Sequence, residues 1–169
     1  MPSDADFDGR FTALFGVQFP RLFRYLDRLG GDPELASDLA QEAFVRLYRR
    51  GTFPNSPEAW LATVATNLFR NARKTDSRRR RLLTPARGEG AHADSTPDPA
   101  ARVDAEESRR DVRMALDRLP ERDRQLLLLR AEGFSYRELA EILDIAEGSV
   151  GTLLARARDA FKQELTYAT

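Results

Sequence analysis

Residues 133–161, GFSYRELAEILDIAEGSVGTLLARARDAF, decide the fold of the C-terminal half of the chain. Ser135-Tyr136-Arg137-Glu138 is a capping-box sequence: the serine hydroxyl can accept from the N–H three residues on, and the glutamate can reach back to the serine N–H. Leu139, Ala140 and Leu143 follow at helical spacing and predict the buried side of a short helix. Asp144 stands where the chain must turn sharply, and Asp tolerates a left-handed backbone better than most residues do. A further helix begins at about Glu147 and carries Val150, Leu154, Ala157, Phe161 and Leu165 along one side. Ala140 is small enough to let the two helices cross closely. The pattern is a helix-turn-helix whose second helix can enter a DNA major groove.

Upstream, Val112, Ala115, Leu116 and Leu119 predict a helix ending at Pro120, and Glu121 opens another that runs towards Gly133. The stretch before these changes character. From Thr84 it holds Pro85, Gly88, Gly90, Pro97 and Pro99 among small residues, without apolar periodicity, and is expected to be a flexible linker over 84–107. The lone histidine, His92, lies in it without neighbouring ligands and is expected to be a solvent-exposed residue, neither metal ligand nor catalyst. The linker separates an expected N-terminal domain, 7–83, from a C-terminal one, 108–166.

The N-terminal domain is also helical by its pattern. Phe11, Leu14, Phe15, Leu22, Phe23, Leu26 and Leu29 make one apolar stripe, stopped by Gly30 and Gly31 and bent at Pro20, which removes a hydrogen bond. Asp32 and Pro33 supply an N-cap and first-turn proline for a second helix, with Leu35, Leu39, Ala43, Phe44 and Leu47 as its stripe and Gly51 as its end. Ser56 and Pro57 repeat that signal for a third, containing Trp60, Leu61, Val64, Ala65, Leu68 and Phe69. Trp60 continues this stripe and reads as core, its alternative being a platform for base stacking.

Charge is segregated along the chain even though 27 Lys and Arg balance 27 Asp and Glu. Arg70, Arg73, Lys74, Arg78, Arg79, Arg80 and Arg81 face only Asp76 within their run, whereas 89–111 is richer in acid. Such a run suits phosphate contact, its alternative being a solvated helix end whose cations favour the helix dipole. Cysteine is absent, which excludes disulfides, thiolate zinc sites and thiol switches within this chain. Asp4, Asp6 and Asp8 stand where a secretory signal would be basic, and no apolar run approaches membrane length. A cytoplasmic protein that does not insert into membranes is expected. No glycine-rich phosphate loop, metal-spaced carboxylate set or nucleophile–base pair is visible, so neither an enzyme nor a cofactor is expected.

Four segments in order resemble the extracytoplasmic-function subfamily of sigma-70 RNA polymerase sigma factors, over about Phe11 to Arg81 and Ser108 to Leu165. Ala36-Ser37-Asp38-Leu39-Ala40-Gln41-Glu42-Ala43-Phe44 is similar to the segment that docks on the clamp helices of the polymerase largest subunit. Trp60-Leu61 through Asn67-Leu68 and into the arginines resembles the segment that melts and reads the minus-10 element. Leu119-Pro120-Glu121-Arg122 through Leu129-Arg130, with 133–140 and 148–158, resembles the domain that reads the minus-35 element. The resemblance implies an all-α protein of two small domains, a four-helix bundle and a helix-turn-helix, with core RNA polymerase, promoter DNA and an anti-sigma factor as partners.

It also implies roles for single residues. Asp38, Gln41 and Glu42 would offer carboxylate and amide groups to polymerase from one helical face, with Phe44 or Leu47 giving apolar contact. Asn67 and Asn71, one turn apart, would hydrogen-bond unpaired bases, while Arg70, Arg73, Lys74 and Arg78 hold phosphates. Arg137, Ser149, Thr152 and Arg156 would contact the minus-35 duplex. Two departures stand out: Gly151 and Leu153 occupy places where the family often carries basic residues, and Asn71 stands where many relatives have Asp. Leu153 then either leaves the groove-facing side of the helix short of charge or extends the apolar face for packing or protein contact. Other readings are a helix-turn-helix regulator that works without polymerase, and a sigma-like protein-binding module.

Overall fold

The computed structural model describes residues 4–82 and 99–168, which form seven helices and no strand among the described residues. His92 and the greater part of the expected linker lie outside them. The first three helices are α1 (Asp4–Gly30), α2 (Pro33–Arg50) and α3 (Pro57–Leu82). Asp32 caps α2 as its chemistry dictates: its side chain accepts the Leu35 N–H at 3.1 Å, and Pro33 fills a first-turn position that needs no donor. The turn before it uses Gly31 at φ 72°, a conformation that costs glycine little. Gly30 serves a different purpose. A Cβ there would sit 2.7 Å from Phe69 Cε2, so its absence lets the end of α1 close onto α3.

α1 and α2, joined by this short turn, pack along each other, and α3 lies against both. Leu22, Tyr25, Leu26 and Leu29 meet Ala36, Ala40, Ala43, Phe44 and Leu47, with Leu61, Ala65 and Phe69 closing the third side. Among the described residues the N-terminal unit thus has three helices, where the family resemblance implies four. α1 continues through Pro20, and nothing in α3 breaks the helix before the arginines, so both run long.

The C-terminal unit comprises α4 (Pro99–Arg118), α5 (Glu121–Ala131), α6 (Tyr136–Leu143) and α7 (Glu147–Ala168). Residues 99–107, expected in the linker, are the first turns of α4. Pro99 suits a first-turn position, and Ala100, Ala101, Ala105, Glu106 and Glu107 are strong helix formers that the proline-rich surroundings obscure. Both ends of α6 are as the sequence requires: at its start the Ser135 Oγ accepts from the Glu138 N–H at 3.2 Å and the Glu138 carboxylate accepts from the Ser135 N–H at 2.7 Å, and in the turn to α7 Asp144 is left-handed at φ 52°. α7 packs on α4, α5 and α6 through Val150, Leu154 and Ala157.

The two units are in contact, α5 against α1 and α6 against α3, and their buried residues join into one core. Each fully buried leucine in it contributes about 1.5–3 kcal/mol relative to an exposed one.

Candidate functional site

Three surfaces carry the residues singled out in the sequence. On α2, Asp38 and Gln41 are exposed and Glu42 is half-buried. Gln41 Nε2 donates to Ser37 Oγ at 3.2 Å, and Arg46 Nε donates to Glu42 Oε1 at 3.0 Å. An ion pair this accessible is worth at most about 1 kcal/mol, so Glu42 can exchange it for another partner. Phe44 and Leu47 do not share this surface. They are 2% and 0% exposed and turned into the core between α1 and α3, so that Leu47 offers no surface and Phe44 only an edge. The apolar surface beside Gln41 comes instead from Val45 and Tyr48, with Phe15 of α1 across a shallow groove whose floor includes the edge of Phe44. The signal for these was present: Asp38, Gln41, Val45 and Tyr48 fall at successive helical spacings, one position round from the buried stripe.

On α3, Asn67, Asn71, Arg73, Lys74 and Arg78 are exposed. Their platform is fixed from beneath. The Tyr25 hydroxyl of α1 lies 3.0 Å from Thr66 Oγ1, which itself donates to the Ala62 carbonyl at 2.7 Å, so the phenol is the donor of this buried pair. Burial pushes the Tyr25 pKa well above its usual value, against smaller lowering effects of Thr66 and Arg70. Arg73 places its guanidinium 5.7 Å from the centre of the Phe69 ring. Arg70 differs from the others: it is half-buried, and its Nη2 donates to Gln125 Oε1 of α5 at 3.2 Å. Trp60 is half-buried against the core, with the Arg50 guanidinium 5.9 Å from its ring.

On α7, Ser149, Thr152 and Arg156 are exposed at spacings of three and four residues and so share one face. Leu153 is half-buried and packs against the core. A Cβ at Gly151 would meet Tyr136 at 3.5 Å, an ordinary contact. Arg137 on α6 is exposed but lines a cleft facing Arg50, Phe53 and Asn55 of the N-terminal unit, away from the α7 row.

A fourth group of polar residues went unnoticed in the sequence. Arg21, Arg24 and Arg28 of α1, again at helical spacing, converge on Glu132 just beyond α5. Arg21 Nε donates to the Glu132 carbonyl at 2.7 Å while its guanidinium lies 3.8 Å from the centre of the Phe134 ring. Arg24 meets the Glu132 carboxylate through Nε and Nη2 at 3.0–3.3 Å, and Arg28 through Nη1 at 3.2 Å. The spacing of these arginines is visible in the sequence; their partner, more than a hundred residues away, is not. Among the described residues no cluster of His, Asp and Glu is arranged to hold a metal ion, and no helix is long and apolar enough to cross a membrane.

Comparison with known proteins matches the chain in two stretches. Residues 18–79 match the family model for sigma-70 region 2, and residues 109–161 match that for sigma-70 region 4. The ECF RNA polymerase sigma factor EcfG of Rhodopseudomonas palustris is 36% identical over 147 residues, 82% of this chain and 76% of that protein. SigL of Mycobacterium tuberculosis, also an ECF RNA polymerase sigma factor, is 32% identical over 168 residues, covering 90% of this chain and 87% of SigL. SigE of Mycolicibacterium smegmatis, at 33% identity, is longer: the match spans 57% of it. Among solved structures, the sigma factor RpoE of Bartonella quintana, in complex with the anti-sigma factor NepR, has the same fold, with a TM-score of 0.69 at 22% identity over 93% of this chain and 97% of that one.

Proposed function

Because the chain belongs to the extracytoplasmic-function RNA polymerase sigma factors of the sigma-70 family, we propose that it binds core RNA polymerase, brings it to particular promoters and starts transcription there. One observation carries this reading: a single three-helix unit offers an acid-and-amide face on α2 and an exposed basic face on α3, and a helix-turn-helix follows. A regulator that only bound DNA would have no use for the first of these.

Asp38, Gln41 and Glu42 meet basic groups of the polymerase, with Val45 and Tyr48 giving apolar contact beside them. Asn67 and Asn71 hydrogen-bond the edges of minus-10 bases that have left the duplex, and Arg73, Lys74 and Arg78 hold the phosphates. Arg70 joins them when it leaves Gln125. Ser149, Thr152 and Arg156 face the minus-35 duplex, where the neutral Gly151 and the packed Leu153 leave Arg156 as the main cation. Arg137 reaches that duplex only if its cleft opens. The protein does no covalent chemistry and needs no cofactor, since every group invoked acts by binding. Its place is the cytoplasm, with the polymerase, and an anti-sigma factor is its further partner, a reading supported by the RpoE relative solved with one.

Co-purification with core polymerase tests the assignment. Asp38→Lys combined with Glu42→Lys sets like charges against the expected basic partner, which costs several kcal/mol at an interface. Association should be lost while circular dichroism shows the same helicity. Recovery of polymerase equal to wild type would overturn the docking assignment.

A further inference from the structure

The three arginines of α1 hold more positive charge than their partner can neutralise. Glu132 offers one carboxylate, 5% exposed, to Arg24 and Arg28, and gives Arg21 only a backbone carbonyl. On α5, which Glu132 caps, Arg70 of α3 finds a neutral amide, Gln125. Asp27 lies beside the row, with its Oδ1 buried and without a hydrogen-bond partner. Four guanidiniums from two neighbouring helices thus face α5, and one carboxylate pairs with them directly. Arg24 and Arg28 remain 50% and 53% exposed even so.

Guanidinium groups bind carboxylate and phosphate oxygens with the same paired N–H geometry, and phosphate suits an excess of guanidinium better. We infer that Arg21, Arg24 and Arg28 are a phosphate-binding row for promoter DNA, which the Glu132 carboxylate fills while the two units are packed together. This rests on the function proposed above and extends its DNA surface from α3 onto α1. Gln125 and Glu132 are seven residues apart, about 10 Å on a helix rising 1.5 Å per residue. Arg70 and the α1 row therefore meet their partners about 10 Å apart, a separation that one stretch of phosphate backbone can span. α5 and the DNA backbone compete for one face, and DNA gains that face only when α5 leaves it.

The contact can be broken from either side, and the two sides should behave differently. Phosphate contact is independent of sequence, so a labelled random-sequence duplex with a single-stranded tail, at low salt, serves as the probe for the full chain by fluorescence anisotropy. Glu132→Gln should tighten binding about tenfold, the equivalent of one charge-assisted hydrogen bond removed from the competitor. Arg24→Gln with Arg28→Gln breaks the same contact but should bind more weakly than Glu132→Gln, with a salt slope shallower by about two. Both variants should retain wild-type helicity. If the arginine variant gained affinity as Glu132→Gln does, the row would serve only to hold the units together and the inference would fall. It would also fall if the arginine variant kept its DNA affinity and lost core polymerase, since the row would then meet acidic groups of the polymerase. Wild-type protein that did not bind core polymerase at all would instead refute the proposed function.

Discussion

The hydrogen bond between Tyr25 and Thr66 lends itself to a quantitative test, because the two sides of it fail differently. Thr66 Oγ1 gives its proton to the Ala62 carbonyl, so the Tyr25 phenol must donate to Thr66, and Tyr25 is 0% exposed. Tyr25→Phe removes the donor and leaves Thr66 with its own bond intact. The cost should be that of one ordinary hydrogen bond, about 1 kcal/mol. Thr66→Val keeps the shape and leaves the phenol buried without an acceptor, which costs its desolvation as well, about 2–3 kcal/mol in all. The double variant removes both polar groups and should be no worse than Thr66→Val alone, giving a coupling of about 1 kcal/mol or more. Urea unfolding of all four proteins measures this, provided the slopes agree. If Thr66→Val proved as mild as Tyr25→Phe, the phenol would have another acceptor, and the picture of a dry joint between α1 and α3 beneath the basic face would be wrong.

Other consequences can be checked alongside. The Tyr25 pKa is raised by burial, so the fold keeps its full stability below the unfolded phenol's value of about 10 and loses it as pH rises from there towards the folded value; unfolding measured across that range should show a fall that Tyr25→Phe reduces. Ser135→Ala removes the acceptor for the Glu138 N–H and should lower stability by about 1 kcal/mol, visible as a lower urea midpoint. Gly151→Ala meets only an ordinary contact with Tyr136 and should add up to about 1 kcal/mol of helix propensity, raising Tm. With reconstituted polymerase, Asn67→Ala should relax preference among minus-10 sequences, whereas Arg78→Ala should weaken binding to all of them and flatten its salt dependence; equal loss on every sequence for Asn67→Ala would remove its base-reading role.

Helix starts were the most legible part of the sequence. Asp32-Pro33 and the Ser135 capping box each act within a few residues, so their chemistry can be read without knowing the fold, and α3 begins at Pro57 where its signal stands. Asp144 was legible for the same reason. The start of α4 was not, because the prolines and glycines before it mask the helix formers of 99–107. Phe44 and Leu47 were misplaced by about a third of a turn. The apolar stripe of α2 faces α1 and α3, and periodicity alone does not say which edge of a stripe stays outside; Val45 and Tyr48 hold that edge. The contact of Glu132 with Arg21, Arg24 and Arg28 was beyond reach, because polar contacts between residues 104–111 positions apart leave no local pattern. The same holds for Arg70, whose expected freedom is limited by Gln125. Residues that share an exposed helix face were thus legible by spacing, and contacts between the two units were visible only in the fold.

As a sigma factor, this chain should give core RNA polymerase its choice of promoter. Run-off transcription on a library of genomic fragments, with purified core polymerase and with or without the protein, measures that directly. Discrete transcripts that start at a shared upstream sequence, that depend on the protein and that vanish with Asp38→Lys and Glu42→Lys are the predicted result. Transcription unchanged by the protein, from a preparation that is folded and bound to core polymerase, would contradict it.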